Sequence, residues 1–294
     1  MLTKHKITED PPVKLGRYAN ILLDRWFKRT FGWAPAKRLM QLLLQQLIPE
    51  RTITELSFGP QEHINPINRS KDIRLDVHCT DTNGNHFIVE VQLSEQSTFY
   101  ERAVFNSTFV IQEQLPQGST DWGFSPLYFI GILNFSIHKG SDQVLYRYRL
   151  KEVDSGEDMT DRVEYIFLEL PNATDPDQDD SSALAQLGFT LKHISEMTEQ
   201  PEWAKGEFYD LLFKSAEISN FAPKELKEYR KDMTTERDIK NQIAFAERKG
   251  EQKGEQRGEA RANRMTAKNL KEMGIALEDI SKATGLSMEV IKAL

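Results

Sequence analysis

The sequence predicts an α/β fold: a mixed sheet flanked by helices, continued by a helical C-terminal extension. Three observations carry the prediction. Residues 72–93 form two alternating apolar–polar runs around the turn Asp81-Thr82-Asn83-Gly84-Asn85. Residues 127–137, LYFIGILNFSI, are apolar enough for a central strand. Helical spacing precedes and separates these runs, so up to residue 170 the order is helices, hairpin, helix, strands, the pattern of an α/β or α+β core.

Residues 1–14 are polar and Pro-marked and read as a flexible lead-in. A helical stretch in two pieces is expected over 17–48. Leu22, Leu23, Trp26 and Phe27 give the first piece, a turn follows at Gly32, and Leu39, Met40, Leu42, Leu43, Leu44 and Leu47 form the second piece's apolar face up to Pro49. Residues 50–70 read as loop, with Pro60 and Pro66. After the hairpin, a helix is expected over 97–115, with Ser97 as N-cap and Pro116 just past its end. Val144–Leu150 and Val163–Leu170 are further strands, split by the acidic insert SGEDMTD. An acidic loop (172–182) and helices between 183 and 230 follow. The expected organisation is thus a core over 15–170, a helical region packing on it over 171–235, a charged segment punctuated by glycines over 236–264 and a small helical module over 265–294. In the charged segment, Gly250, Gly254 and Gly258 recur every four residues. Each costs a helix roughly 1 kcal/mol relative to Ala, so a frayed helix and a linker are both open there.

Charge and composition narrow the function. The 294 residues carry a net charge of −7, but residues 151–180 alone hold eleven carboxylates against Lys151 and Arg162, a local balance of −9. The rest of the chain sums to about +2, so the acidic total leaves a nucleic-acid partner open. Cys79 is the single cysteine, which excludes an intrachain disulfide framework and a multi-Cys zinc site. The first residues lack an apolar signal region and no run approaches 18 apolar residues, so a soluble, cytoplasmic protein without a membrane span is expected.

The hairpin's register can be argued from hydrophobicity. A two-residue Asn83-Gly84 turn would set Val77 opposite Glu90 and mix apolar with charged side chains. A three-residue loop, Thr82-Asn83-Gly84 with Gly84 left-handed, sets Asp76 opposite Glu90 instead. One face then reads Ile73, Leu75, Val77, Cys79 against Phe87, Val89, Val91, Leu93. The other reads Arg74, Asp76, His78, Thr80 against His86, Ile88, Glu90, Gln92. Two acids facing across a hairpin repel, and a hard cation such as Mg²⁺ or Mn²⁺ relieves that repulsion, with the Val91 carbonyl a possible further donor. Such an ion would polarise a scissile phosphate and lower the pKa of an attacking water. The alternative is a solvated polar face balanced by Arg74 or a lysine.

The order DRWFKRTFG (24–32), IRLDVHCTDTNGNHFIVEVQL (73–93), FYERAVFNSTFVIQEQLPQG (99–118) resembles the PD-(D/E)xK nuclease superfamily, specifically its recombination-promoting nuclease and transposase-like family. There the pattern is D-x-x-F-K-x-x-F-G, an aspartate in a first strand, E-x-Q in the second, and an Arg-led helix ending near a Gln-Leu pair. The glycine-punctuated tail recurs in such proteins too. The resemblance spans roughly residues 15–170 and implies a restriction-endonuclease-like fold, Mg²⁺ (or Mn²⁺) as cofactor and DNA as partner. It makes Asp76 and Glu90 metal-binding catalytic carboxylates and places Gln92 where most of the superfamily has lysine. Glutamine can orient a water but carries no charge, which suggests slow turnover. Asp24 matches the family's leading aspartate and is either a further metal ligand or a helix-surface residue. Arg102 matches the helix arginine and either clamps a phosphate or pairs with an acid such as Glu90. Phe105-Asn106 departs from the aromatic pair usual there.

Other residues have blander readings. His78 reads as a packing or surface histidine rather than a base, and Cys79 as an inert core residue. Trp26, Trp33, Trp122 and Trp203 read as core, and Lys28 and Lys71 as solvated surface rather than phosphate contacts. LEDISKATGLSMEVIKAL (277–294) has a helix-turn-helix cadence with Gly285 in the turn and Ser287 as cap, but only Lys292 faces base readout, so a homo-oligomerising or docking module is as good a reading. The sequence thus supports an Mg²⁺-dependent DNA endonuclease of low sequence specificity. The alternative is a catalytically weak DNA- or protein-binding module that oligomerises through its C-terminal helices.

Overall fold

The computed structural model describes residues 14–60, 62–63, 73–115, 117–118, 120–176 and 182–294. The flexible lead-in expected at 1–13, Lys71, Pro116 and part of the acidic loop lie outside the described residues. The described residues divide into two units, Lys14–Lys227 and Glu228–Leu294.

The first unit begins with an extended segment, where a helix was expected from residue 17. Its backbone groups pair elsewhere: Ala19 N–H donates to Ala216 O at 2.8 Å and Ile218 N–H to Arg17 O at 3.0 Å. Those tertiary bonds outcompete the intrinsic helical spacing. Helix α1 (Asp24–Phe31) follows and closes at Gly32; a short 3₁₀ turn at Ala34–Ala36 leads into α2 (Lys37–Leu47), which buries Leu39, Met40, Leu43, Leu44 and Leu47. Strand β1 (Leu56–Phe58) lies in the stretch read as loop; three residues beside Pro60 are too short a run for periodicity to register. Then come β2 (Glu62–His63), β3 (Ile73–Arg74), β4 (Val77–Asp81), β5 (His86–Gln92), α3 (Phe99–Glu113), β6 (Leu127–Leu133), β7 (Leu145–Arg149) and β8 (Val163–Glu169). Thr98, not Ser97, precedes α3, and it makes no side-chain cap bond. Helices α4 (Ala183–His193) and α5 (Glu207–Ala216) complete the unit.

Six strands form one mixed sheet in the order β1-β4-β5-β6-β8-β7, and β2 pairs with β3 separately. β5, β6 and β8 run parallel, while β1, β4 and β7 attach antiparallel. The parallel trio is buried on both faces, as its near-continuous apolar runs require. One face packs Val77, Cys79, Phe87, Val89, Val91, Ile130, Ile132, Ile166 and Leu168 against α1, α2, α4 and α5. The other packs Ile88, Leu127, Phe129, Leu133 and Phe167 against Phe99, Ala103 and Val110 of α3.

The hairpin has the register that hydrophobicity selects. Val77 pairs with Val89 and Thr80 with His86, so Asp76 follows toward Glu90, and Gly84 takes a left-handed φ of +82°. Its faces differ from expectation in three ways. The Glu90 face is not solvated, because α3 covers it. Leu75 joins the α3-side core while Val77 joins the opposite one. In a regular strand the two would share a face; here the pairing breaks between β3 and β4, and the chain turns at Asp76. Leu93 lies past the end of β5 and is 37% exposed. Among the tryptophans, Trp26 is buried, but Trp33 and Trp122 are exposed, contrary to the core reading.

Gly131 stands across from Glu90 on β6. A Cβ there would lie 2.9 Å from the Phe167 ring and 3.0 Å from Phe99. Gly131→Val should therefore destabilise the first unit by about 2 kcal/mol through overpacking, read as a lowered denaturation midpoint at unchanged slope in urea.

The second unit is dominated by α6 (Pro223–Glu272), which begins in the first unit and runs unbroken through the glycine repeat; α7 (Leu277–Thr284) and α8 (Met288–Ala293) complete it. Ala267, Ile280 and Ile291 form its small core, and Leu270, Leu277 and Leu286 pack on it. Gly274 and Gly285 turn the chain at φ +80° and +70°, and the Ser287 side chain caps α8 by accepting from Val290 N–H. Among the described residues, no helix is long and apolar enough to cross a membrane.

Candidate active site

Glu90 sits near the C-terminal end of β5, beneath α3 and 4% exposed. Its Oε1 accepts a 2.7 Å hydrogen bond from Asn106 Nδ2, and Arg102 Nη2 lies 3.7 Å from Oε2. Arg102 and Asn106 are four residues apart on α3, so one helical turn aims both at the same acid. Arg102 also donates 2.7 Å to Gln96 Oε1, while its buried Nε and Nη2 make no hydrogen bond among the described residues. The pairing with Glu90 is the second of the two roles the sequence left open for this arginine.

Asp76 occupies the break that precedes β4. Its Oδ2 accepts from Val91 N–H at 3.0 Å, and its Oδ1 lies 3.3 Å from Lys28 Nζ. Val91 thus meets the site through its N–H, where its carbonyl was the expected contributor. Lys28 is also 2.6 Å from Asp24 Oδ1, its i−4 neighbour on α1. Helix α1 lies against one face of the sheet and α3 against the other. The turn at Asp76, at the margin between the two layers, is where they can meet.

Gln92 follows Glu90 on the same face at the end of β5, half-buried, and its side chain makes no hydrogen bond among the described residues. The sheet therefore brings Asp24, Asp76, Glu90, Gln92 and Arg102 to one end of the hairpin. Two further residues belong to the site. Lys28, read from sequence as solvated surface, is only 18% exposed. Asn106, which departs from the family's aromatic pair, is buried and bonded to Glu90. The available signal was i,i+4 spacing, Lys28 from Asp24 and Asn106 from Arg102. His78 packs on His86, with Nε2 and Nδ1 3.3 Å apart, and Cys79 is buried with its thiol pushed up to about 12; both keep their structural readings.

The electrostatics are those of crowded acids. Burial pushes Glu90 up to about 7, reinforced by the Asp76 charge and opposed by Arg102, Asn106 and Lys28. Burial also raises Asp76, to about 6, reinforced by a hydrogen bond with Asp24. For Asp24, burial acts upward but is outweighed by hydrogen bonds to Lys28 and Asp76, so it ends below the usual carboxylate range. Two neighbouring carboxyl groups pushed up to about 6 and about 7 are a donor set short of positive charge. Their hard oxygens fit a divalent cation that takes water and phosphate as its remaining ligands. Among the described residues, no three His, Cys, Asp or Glu side chains form a ready-made cage. Asp76 and Glu90 are the pair that would hold an ion, with Asp24 joined to them through Lys28 and Asp76.

No curated protein and no solved structure gives a significant match to the chain. A family model described as PD-(D/E)XK nuclease family transposase matches residues 21–246, which include α1, the whole six-stranded sheet, α3 to α5 and half of α6. With a mixed sheet of the restriction-endonuclease-like kind and two acids gathered at one end of its hairpin, the chain belongs to the PD-(D/E)XK nuclease family transposases.

Proposed function

We propose that this protein is an Mg²⁺-dependent DNA endonuclease of low sequence specificity, acting in recombination or transposition-like DNA processing in the cytoplasm. The observation that carries the reading is the convergence of Asp76 and Glu90, both raised toward neutrality, beside Lys28 and Arg102. A divalent ion held by these two carboxylates would supply Lewis-acid polarisation of the phosphate and a more acidic water. The chain's own groups do the rest. Val91 N–H and Asn106 fix the orientation of the two carboxylates. Gln92 offers an amide to orient a water, and the one-third-exposed Arg102 side chain brings a positive charge beside Glu90 that a phosphate oxygen would share. These are contacts to backbone phosphate, which carry no base information and support low specificity.

The test is supercoiled plasmid with purified protein and Mg²⁺. Nicking that chelation stops, and that Asp76→Ala and Glu90→Ala abolish, supports the reading. Intact plasmid together with a gel shift replaces it with a binding module that does not turn over.

The same proposal includes self-association through α6. Among the described residues, a Cβ at Gly250, Gly254 or Gly258 would meet nothing within 4 Å, so their packing does not explain three costly glycines. Successive helical residues are about 100° apart. Lys249, Lys253 and Arg257 therefore line one flank of the glycine stripe, and Glu251, Glu255 and Glu259 line the other. Two parallel copies facing each other set cations against anions on both sides, whereas antiparallel copies set like against like. Gly254→Leu should lower the mass measured by sedimentation equilibrium toward the monomer; an unchanged mass with a higher melting temperature would mean a solvated stripe.

A further inference from the structure

Resting on the nuclease reading, we propose that Lys28 is the cationic catalytic residue of this site, delivering from α1 to the scissile phosphate the charge that Gln92 does not carry. Lys28 Nζ is held between Asp24 Oδ1 at 2.6 Å and Asp76 Oδ1 at 3.3 Å, with only 18% of the side chain exposed. Its charge reaches Glu90 as well. The stem's position is fixed by packing. Lys28 O accepts from Gly32 N–H at 2.7 Å, and a Cβ on Gly32 would lie 2.9 Å from Val77 Cγ2, so the end of α1 is pressed onto β4 one residue from Asp76. A lysine at position 92 would approach these acids along β5; Lys28 approaches them from the adjacent helix.

The chemistry asks for such a charge. As a water oxygen bonds to phosphorus and one ester P–O bond breaks, negative charge builds on the non-bridging oxygens. One water proton ends on the departing oxygen and the other on the new phosphomonoester. An ammonium beside those oxygens stabilises that build-up without itself changing protonation state.

Three variants of the full chain test this: Lys28→Gln, Gln92→Lys and the double variant. Each is assayed for plasmid nicking in Mg²⁺ and for binding of Mn²⁺ alone by titration calorimetry. Lys28→Gln should nick on the order of 10²-fold more slowly, the usual loss for one charge-stabilising group. It should bind Mn²⁺ no more weakly than wild type, because an ammonium no longer competes for Asp76. Adding Gln92→Lys should recover at least about tenfold of the lost rate. A residue that only shaped the site would lose Mn²⁺ binding together with nicking, and a mere counter-ion would nick as well as wild type when removed. Either result, or a double variant as slow as Lys28→Gln, overturns the assignment. An inert wild type instead overturns the nuclease reading and takes Lys28 with it.

Discussion

Glu90→Gln should lower plasmid nicking by on the order of 10³-fold while making the metal-free protein more stable at pH 8. The substitution keeps an acceptor oxygen for Asn106 and changes little volume, so the fold has no reason to suffer. What it removes is the negative charge that would hold a cation. The stability side follows from linkage. Glu90 is raised to about 7, mainly by burial and then by Asp76. A carboxyl raised in the folded state favours folding below its ordinary pKa, and that contribution is lost as pH rises through the folded value. At pH 4 the wild-type group is largely protonated whether folded or unfolded and close to isosteric with Gln, so the two proteins should melt together. At pH 8 the wild type carries a buried charge short of partners, and the variant should gain about 2 kcal/mol, or roughly 4 °C at this size. Calorimetric scans at the two pH values check it. A variant equally active, or less stable than wild type at pH 8, would contradict a charge-poor two-acid site.

The hairpin was legible in the sequence because two constraints agree there. The Asn-Gly turn limits the loop to two or three residues, and only one length separates apolar from charged side chains. That was enough to place Asp76 opposite Glu90. What covers the polar face was not legible: α3 lies across the site by tertiary packing, and Ile88 among the polar residues was the one hint that this face is buried. The break at Asp76 escaped for a related reason. Leu75 and Val77 are both apolar and satisfy alternation perfectly well, so nothing in the pattern reveals that they feed different cores. Lys28 shows the same limit from the other side. A lysine on an amphipathic helix is usually solvated, and only the approach of α1 to β4 makes this one a member of the site. The continuity of α6 through three glycines was equally out of reach, since local propensity alone leaves helix and linker balanced there.

Divalent-ion affinity should rise steeply with pH, with close to two protons released per ion bound near pH 5.5 and almost none at pH 8. Asp76 at about 6 and Glu90 at about 7 both carry protons at the lower pH, and both must lose them to present charged oxygens to a cation. Below both values, each pH unit is then worth about tenfold in apparent affinity for each proton displaced, so affinity should gain on the order of 10²-fold between pH 5.5 and 7.5. Asp24, held below the usual carboxylate range by Lys28 and Asp76, is already charged and adds nothing to this slope. Calorimetry of Mn²⁺ binding in two buffers of different ionisation enthalpy counts the protons directly. Glu90→Gln should remove the step near 7 and leave at most the one near 6. If the ion is captured with no proton release at pH 5.5, the acids are already charged there, and the crowding that makes them a cation site is absent. If release is seen and survives in Glu90→Gln undiminished, the proton comes from elsewhere and the ion is not held by this pair.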